Sequence, residues 1–277
     1  MRYTEVAFLG PTGTYSHLVA DKYFGKDLKL APQPSIVDVC KFVTARPTRC
    51  GIIPSENSSG GAIYETVDIL LEGQPPVKII EEVSLQVKLA LLGHHGADIE
   101  RLYSHFAPME HCDAWITSQL PHVDRRIVSS TAVAAQQASD DPRGAALGSR
   151  HLAGLYALDV IGRDVQADIP NLTSFYAIGG APAPQGRKKM KTTLAVRLAN
   201  SPGSLCSFLE TFRDEAVNLS CLISRPIRGC PKEYIFLVDV AGAGYEPKVA
   251  RALDAAVKRV AQMRIIGTYP VHAPYKS

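Results

Sequence analysis

The sequence predicts an α/β protein with a two-lobed first part and a smaller C-terminal module. Three observations lead there. Short apolar runs alternate with amphipathic stretches from Val6 to Tyr156, the pattern of a mostly parallel sheet covered by helices. A continuous β-like interval, Val77 to Leu92, breaks that alternation and suggests strands that cross between two lobes and cross back near Thr173. After a stretch rich in Pro, Gly and charge, the order of elements becomes β-α-β-β-α-β, the ferredoxin-like arrangement.

The chain has 277 residues, enough for one large domain or two smaller ones. Lys and Arg number 30 against 27 Asp and Glu, a balance that gives no reason to expect nucleic acid or a membrane surface. No apolar run is long enough to span a bilayer, and the N-terminus enters a strand pattern at once, which reads as no signal peptide. The six cysteines are scattered without a C-x-x-C pair, so neither zinc nor a disulfide framework is indicated and a cytoplasmic setting is expected.

Val6–Leu9 reads as a strand and Ser16–Tyr23 as a helix. Between them, Gly10-Pro11-Thr12-Gly13-Thr14-Tyr15-Ser16 offers hydroxyls and backbone N–H groups at a helix start. That is either a plain connection or an anion site. It is neither a Walker A loop nor a dinucleotide fingerprint. Ser35 caps a helix with Ile36, Val39, Phe42 and Val43 on one face. Gly51–Pro54 is the next strand. Ser55-Glu56-Asn57-Ser58-Ser59-Gly60-Gly61 then opens a helix from Tyr64 to Leu71. Its polar groups form either an N-cap with a flexible Gly-Gly or part of a cleft at the end of a strand.

Arg101–Ser104 is a strand, followed by His105 and a helix from Pro108 to about Leu120. Ser104 and His105 are adjacent on a strand, so they point apart and are poorly placed to act on each other. Arg126–Val128 is a strand, Ser129 or Ser130 caps a helix over Thr131–Ala138, Ala145–Gly148 is a strand, and a helix covers Arg150–Tyr156. Asp168 precedes Pro170-Asn171-Leu172-Thr173-Ser174-Phe175-Tyr176, a polar stretch at the mouth of a strand over Tyr176–Gly179. By itself it reads as a turn. Ala181–Lys189 reads as an exposed, semi-rigid linker. In the last module the strands are Thr192–Leu198, Leu219–Ser224, Tyr234–Val240 and Ile265–Tyr269, and the helices Leu205–Arg213 and Pro247–Ala261. No acid, base and nucleophile gather there, so the module suits binding or pairing better than catalysis.

Taken together and in order, these stretches resemble the prephenate dehydratase family with a C-terminal ACT regulatory domain. The resemblance rests on Phe8–Ser16, Ile53–Ser58, Tyr103-Ser104-His105, Ser129–Ala132 and Asn171–Phe175. It covers nearly the whole chain and implies a two-lobed, periplasmic-binding-protein-like catalytic domain over residues 1–181. A linker at 182–191 and an ACT-like domain at 192–277 follow. It implies decarboxylating dehydration of prephenate to phenylpyruvate, with no cofactor, no metal and a homodimer or homotetramer. Thr173, Ser174 and Phe175 would stand at the catalytic position. Thr12, Thr14, Ser16, Glu56, Asn57, Ser58, Ser104, His105, Ser130, Thr131 and Asn171 would bind substrate. Pro202, Gly203, Ser204, Leu205, Ser224, Arg225 and Pro226, with Glu233-Tyr234, look like the family's aromatic-amino-acid effector motifs.

Two departures stand out. The family pattern at the last catalytic stretch is Thr-Arg-Phe, and here it is Thr173-Ser174-Phe175. Serine lacks the permanent charge and planar donors that suit a carboxylate. The family also has an acid before Ser-Arg-Pro, where this chain has Ile223. Besides the dehydratase, the resemblance leaves a decarboxylase that keeps the hydroxyl, and a binding protein with an amino-acid-sensing module. Arogenate remains an alternative substrate.

Overall fold

The structure is a computed structural model that describes residues 3–25, 27–163, 165, 170–179 and 189–276. Asp168 and most of the expected linker lie outside the described residues. The chain runs β1 (Glu5–Leu9), α1 (Tyr15–Phe24), β2 (Lys29–Gln33), α2 (Ile36–Thr44), β3 (Arg49–Asn57), β4 (Gly61–Ala62), α3 (Tyr64–Glu72) and β5 (Lys78–Gln86). It continues with β6 (Ala90–Gly93), β7 (Arg101–Ser104), α4 (Phe106–His111), α5 (Asp113–Gln119), β8 (Asp124–Ile127), α6 (Thr131–Asp140), β9 (Gly144–Gly148), α7 (His151–Leu155) and β10 (Asp159–Gly162). Then come β11 (Leu172–Gly179), β12 (Met190–Arg197), α8 (Ser204–Asp214), β13 (Leu219–Pro226), β14 (Tyr234–Ala241), α9 (Pro247–Val257), β15 (Gln262–Pro270) and β16 (Tyr275–Lys276).

These strands form three sheets. The first has the order β16-β5-β11-β3-β1-β2, with β4 folded back on β3. The second has the order β10-β6-β9-β7-β8. The chain leaves the first sheet after β5 and returns to it with β11, so the two crossings fall where the sequence suggests. The sheets are not mostly parallel, however. β1, β2 and β3 are parallel, and so are β7, β8 and β9, but β11 is antiparallel to both β3 and β5 and β6 is antiparallel to both its neighbours. The antiparallel strands are those at the two crossings. They enter their sheets from the other lobe, without the helical crossover that makes successive strands parallel.

Local chemistry places the helices. Ser35 accepts the Asp38 N–H at the start of α2, whose Ile36, Val39, Cys40 and Val43 are buried. Ser130 caps α6 by accepting the Val133 N–H. The single helix expected over Pro108–Leu120 is two, because the chain turns at Cys112 between α4 and α5. The Gly60-Gly61 segment is a tight hairpin from β3 into β4, not a helix cap; Gly61 takes φ +75°.

The third sheet, β13-β14-β12-β15, is antiparallel and carries α8 and α9 on one face. Its other face packs on the first sheet. Val67, Leu70, Ile79, Tyr176 and Ile178 share one buried cluster with Ala195, Leu237, Ile266 and Tyr269. Arg264 donates to the Leu70 and Leu71 carbonyls at the end of α3. Arg225 holds Asp68 with two bonds of 2.6 and 2.8 Å. The chain then sends β16 back to pair with β5 in the first sheet.

Candidate active site

A cavity of about 980 Å³ opens between the two lobes. The polar loop after β1 supplies Thr12, Thr14 and Ser16; Asn57 ends β3; His105 starts α4; Ser130 and Thr131 start α6; Asn171, Thr173 and Phe175 come from β11 and its approach. Residues spread over the sequence thus line one cavity, from both lobes. Thr14 donates to the Leu9 carbonyl at 2.8 Å and accepts the His17 N–H, which fixes the loop over the cavity. Gly13 sits at φ +95°, and a Cβ there would lie 2.8 Å from Leu152 of the other lobe, so only glycine suits this close approach.

Four expected site residues do not line the cavity. Ser174 and Glu56 face the other side of the first sheet, toward the third sheet. The reason is the strand period: Thr173-Ser174-Phe175 is strand rather than turn, so Thr173 and Phe175 share one face and Ser174 takes the other. Ser174 therefore does not leave a carboxylate unmatched in the cleft. Ser58 is spent on backbone, donating to Pro170 O and accepting Leu172 N–H. Ser104 is fully buried.

The centre of the site is Asn57. Its Oδ1 accepts the N–H groups of Ser59 and Gly60 at 2.9 and 3.0 Å. Those groups can only donate, so the orientation of the amide is fixed. Its Nδ2 therefore donates, to Thr173 Oγ1 at 2.9 Å and to Asn171 Oδ1 at 3.0 Å. Thr173 accepts from Asn57, which leaves its own O–H proton for whatever occupies the cavity.

Tyr15, Ser59, His111 and Tyr156 also line the cavity and were not singled out from sequence. Ser59 Oγ lies 3.1 Å from His111 Nδ1, and Tyr156 donates to Thr12 O at 3.4 Å, so both contacts tie one lobe to the other. Tyr15 Oη and His111 Nε2 are buried with no hydrogen-bond partner among the described residues. Burial pushes Tyr15 above the usual tyrosine range, so it remains a neutral O–H. Burial pushes His105 below the ordinary histidine value. The same holds for His17, where the neighbouring His151 adds to the effect of burial. No lysine or arginine lines the cavity among the described residues.

A family model, prephenate dehydratase, matches residues 6–183. The chain belongs to the prephenate dehydratase family. It is 32% identical over 269 residues to the bifunctional chorismate mutase/prephenate dehydratase of Aquifex aeolicus, covering 96% of this chain and 73% of that protein. Among solved structures it resembles a prephenate dehydratase from Arthrobacter aurescens in complex with L-Phe (TM-score 0.87, 28% identity, 96% of this chain and 90% of that one). It also resembles GqqA, described as a quorum quenching acylase (TM-score 0.85, 28% identity, 96% and 98% covered).

The expected effector stretches lie in the third sheet and its first helix. Pro202 and Gly203 lead into α8, where Ser204 and Leu205 are the first two residues; Ser224, Arg225 and Pro226 end β13. Ile223 joins the apolar contact with the first sheet. No helix of the described residues is long and apolar enough to cross a membrane.

Proposed function

We propose that this chain is a prephenate dehydratase. The observation that carries the reading is the Asn57–Thr173 pair, which presents a hydroxyl proton to the cavity. In prephenate the bond from the ring to its carboxylate breaks, and its electron pair enters the ring as carbon dioxide leaves. The ring C–OH bond breaks at the far end, and the departing hydroxide takes up a proton to become water. Aromatisation drives both. Thr173 donates to the departing oxygen, the proton consumed being made good from solvent, and Asn57 holds Thr173 in place. The apolar wall, including Phe175 and Ile36, excludes water and strengthens each polar contact. The buried Tyr15 Oη, and His111 Nε2 in the tautomer whose Nδ1 accepts from Ser59, are the candidates to donate to substrate oxygens. Incubation with prephenate tests this: phenylpyruvate supports it, and release of carbon dioxide with a dihydro product sinks it.

The Ser59–His111 contact favours a second reading, an acylase with Ser59 as nucleophile. It is the weaker one, because His111 Nε2 lacks the acid that orients such a base. Hydrolysis of a chromogenic acyl amide, abolished in Ser59→Ala, would establish it.

For the rest of the chain we take the lobes as periplasmic-binding-protein-like and the βαββαβ module as an ACT-like domain that pairs with a second copy in the cytoplasm. Residues 1–181, 182–191 and 192–277 divide accordingly. Its aromatic amino-acid effector binds weakly, since Asp68 occupies Arg225 and Ile223 replaces an acid. Calorimetry with phenylalanine is the check, and micromolar binding that also inhibits would reverse it.

A further inference from the structure

Behind Thr173, on the far face of β11, lies a small cavity of about 30 Å³. Glu56, Glu82 and Asp239 line it, together with Ser174, Cys221 and Lys191. Three carboxylates and one lysine therefore gather at the junction of the first and third sheets. Lys191 Nζ lies 2.7 Å from Glu82 and 3.6 Å from Asp239, and all three side chains are largely buried. Asp239 also accepts from Thr193 at 2.6 Å. Ser174 is too short to fill the space, and its hydroxyl lies 3.2 Å from that of Ser84. Buried carboxylates of this kind need a cation close by. A family arginine at 174 would start from the middle strand and point into this cluster.

We propose that Lys191 is a positioning residue for Thr173, supplying from the third sheet the positive charge that an arginine at 174 would supply from within β11. Ser84 and Glu82 are the β5 partners of Ser174 and Tyr176, so the strands on which Lys191 pulls are those that hold Thr173. The acids paired with Lys191 come from β5 and β14, so its charge joins one strand of the first sheet to one of the third. The C-terminal module is then a structural part of the active site. This rests on the dehydratase reading.

The test is a charge relocation. Lys191→Met should lower kcat at least tenfold with KM within twofold of wild type, and Lys191→Arg should stay within about threefold. Ser174→Arg in the Lys191→Met background should recover most of the lost kcat, which a merely structural lysine would not allow. Each protein is measured across a prephenate titration that reaches saturation, with the folded fraction read by circular dichroism. Unchanged kcat in folded Lys191→Met, or a double variant no better than the single, overturns the proposal. Should Lys191→Met not fold, recovery of folding by Ser174→Arg supports the shared charge site and its failure overturns it. A wild type that makes no phenylpyruvate defeats the dehydratase reading. In that case non-additive urea midpoints still support a common charge site, and additive ones overturn it.

Discussion

Thr173→Val separates the chemistry of the site from its architecture. Valine keeps the branch and nearly the volume of threonine and removes one hydroxyl. Two consequences follow, of different size. For the fold, Asn57 Nδ2 loses one acceptor but keeps Asn171 Oδ1 at 3.0 Å, and its Oδ1 keeps both N–H donors. The cost is that of one neutral hydrogen bond, about 0.5–1.5 kcal/mol. That is small against a domain stability of roughly 5–15 kcal/mol. For the reaction, the departing hydroxide loses its positioned donor. Loss of one such donor or acid costs a factor on the order of 10²–10³, about 2.7–4 kcal/mol in the barrier. The assay is the initial rate of phenylpyruvate formation by ultraviolet absorbance, beside a urea unfolding curve. Thr173→Ser should retain much of the rate, because the donor survives. A folded Thr173→Val enzyme within tenfold of wild type would refute the role given to this hydroxyl.

Other consequences are open to measurement. Among the described residues no lysine or arginine lines the cavity, so a dianionic substrate relies on polar groups such as the buried His111 Nε2; His111→Gln should raise KM about tenfold or more with little change in kcat, and an unaltered KM would remove His111 from binding. Asp141 accepts from Arg101 at 2.5 and 2.7 Å and from Tyr103 at 3.0 Å, and the Arg101 bond holds its carboxyl far below the ordinary range. A depressed carboxyl stabilises above its unfolded pKa and ceases to do so as pH falls toward the folded one. Asp141→Asn should therefore cost about 1.5–3 kcal/mol at neutral pH, with the gap to wild type closing in acid; a gap that stays constant from neutral to acid would contradict this.

Much of this was legible in the sequence. The polar stretches at Thr12–Ser16, Asn57 and Asn171–Thr173 stand at strand ends, and the fold gathers them around one cavity. Residue type also gave the cap at Ser35, and periodicity the crossing strands and the order of elements in the last module. The failures have common causes. Leu172–Phe175 looks like a turn by composition, yet pairing on both sides makes it strand, which sends Ser174 away from the cleft. Alternation of faces can be inferred only once a segment is known to be strand. The strand β2, with half-buried and exposed residues and a proline, lacks an apolar run to announce it. Tyr15 and His111 carry no local signal, since what marks them is that Tyr15 Oη and His111 Nε2 are buried without a partner among the described residues.

The place of β11 has a consequence for how the chain is made. This strand sits between β3 and β5, with more than eighty residues of the second lobe intervening before it is synthesised. A nascent chain emerging from the ribosome must therefore hold β3 and β5 apart, or leave their edges bare, until residue 179 is out. The edge strand β16 joins later still. Long-range pairing of this kind is slow and leaves backbone edges open to wrong partners in the meantime. The second lobe has no such wait, because β6 to β10 follow one another directly. Pulse-labelled translation intermediates should thus show the second lobe protected from proteolysis before the first.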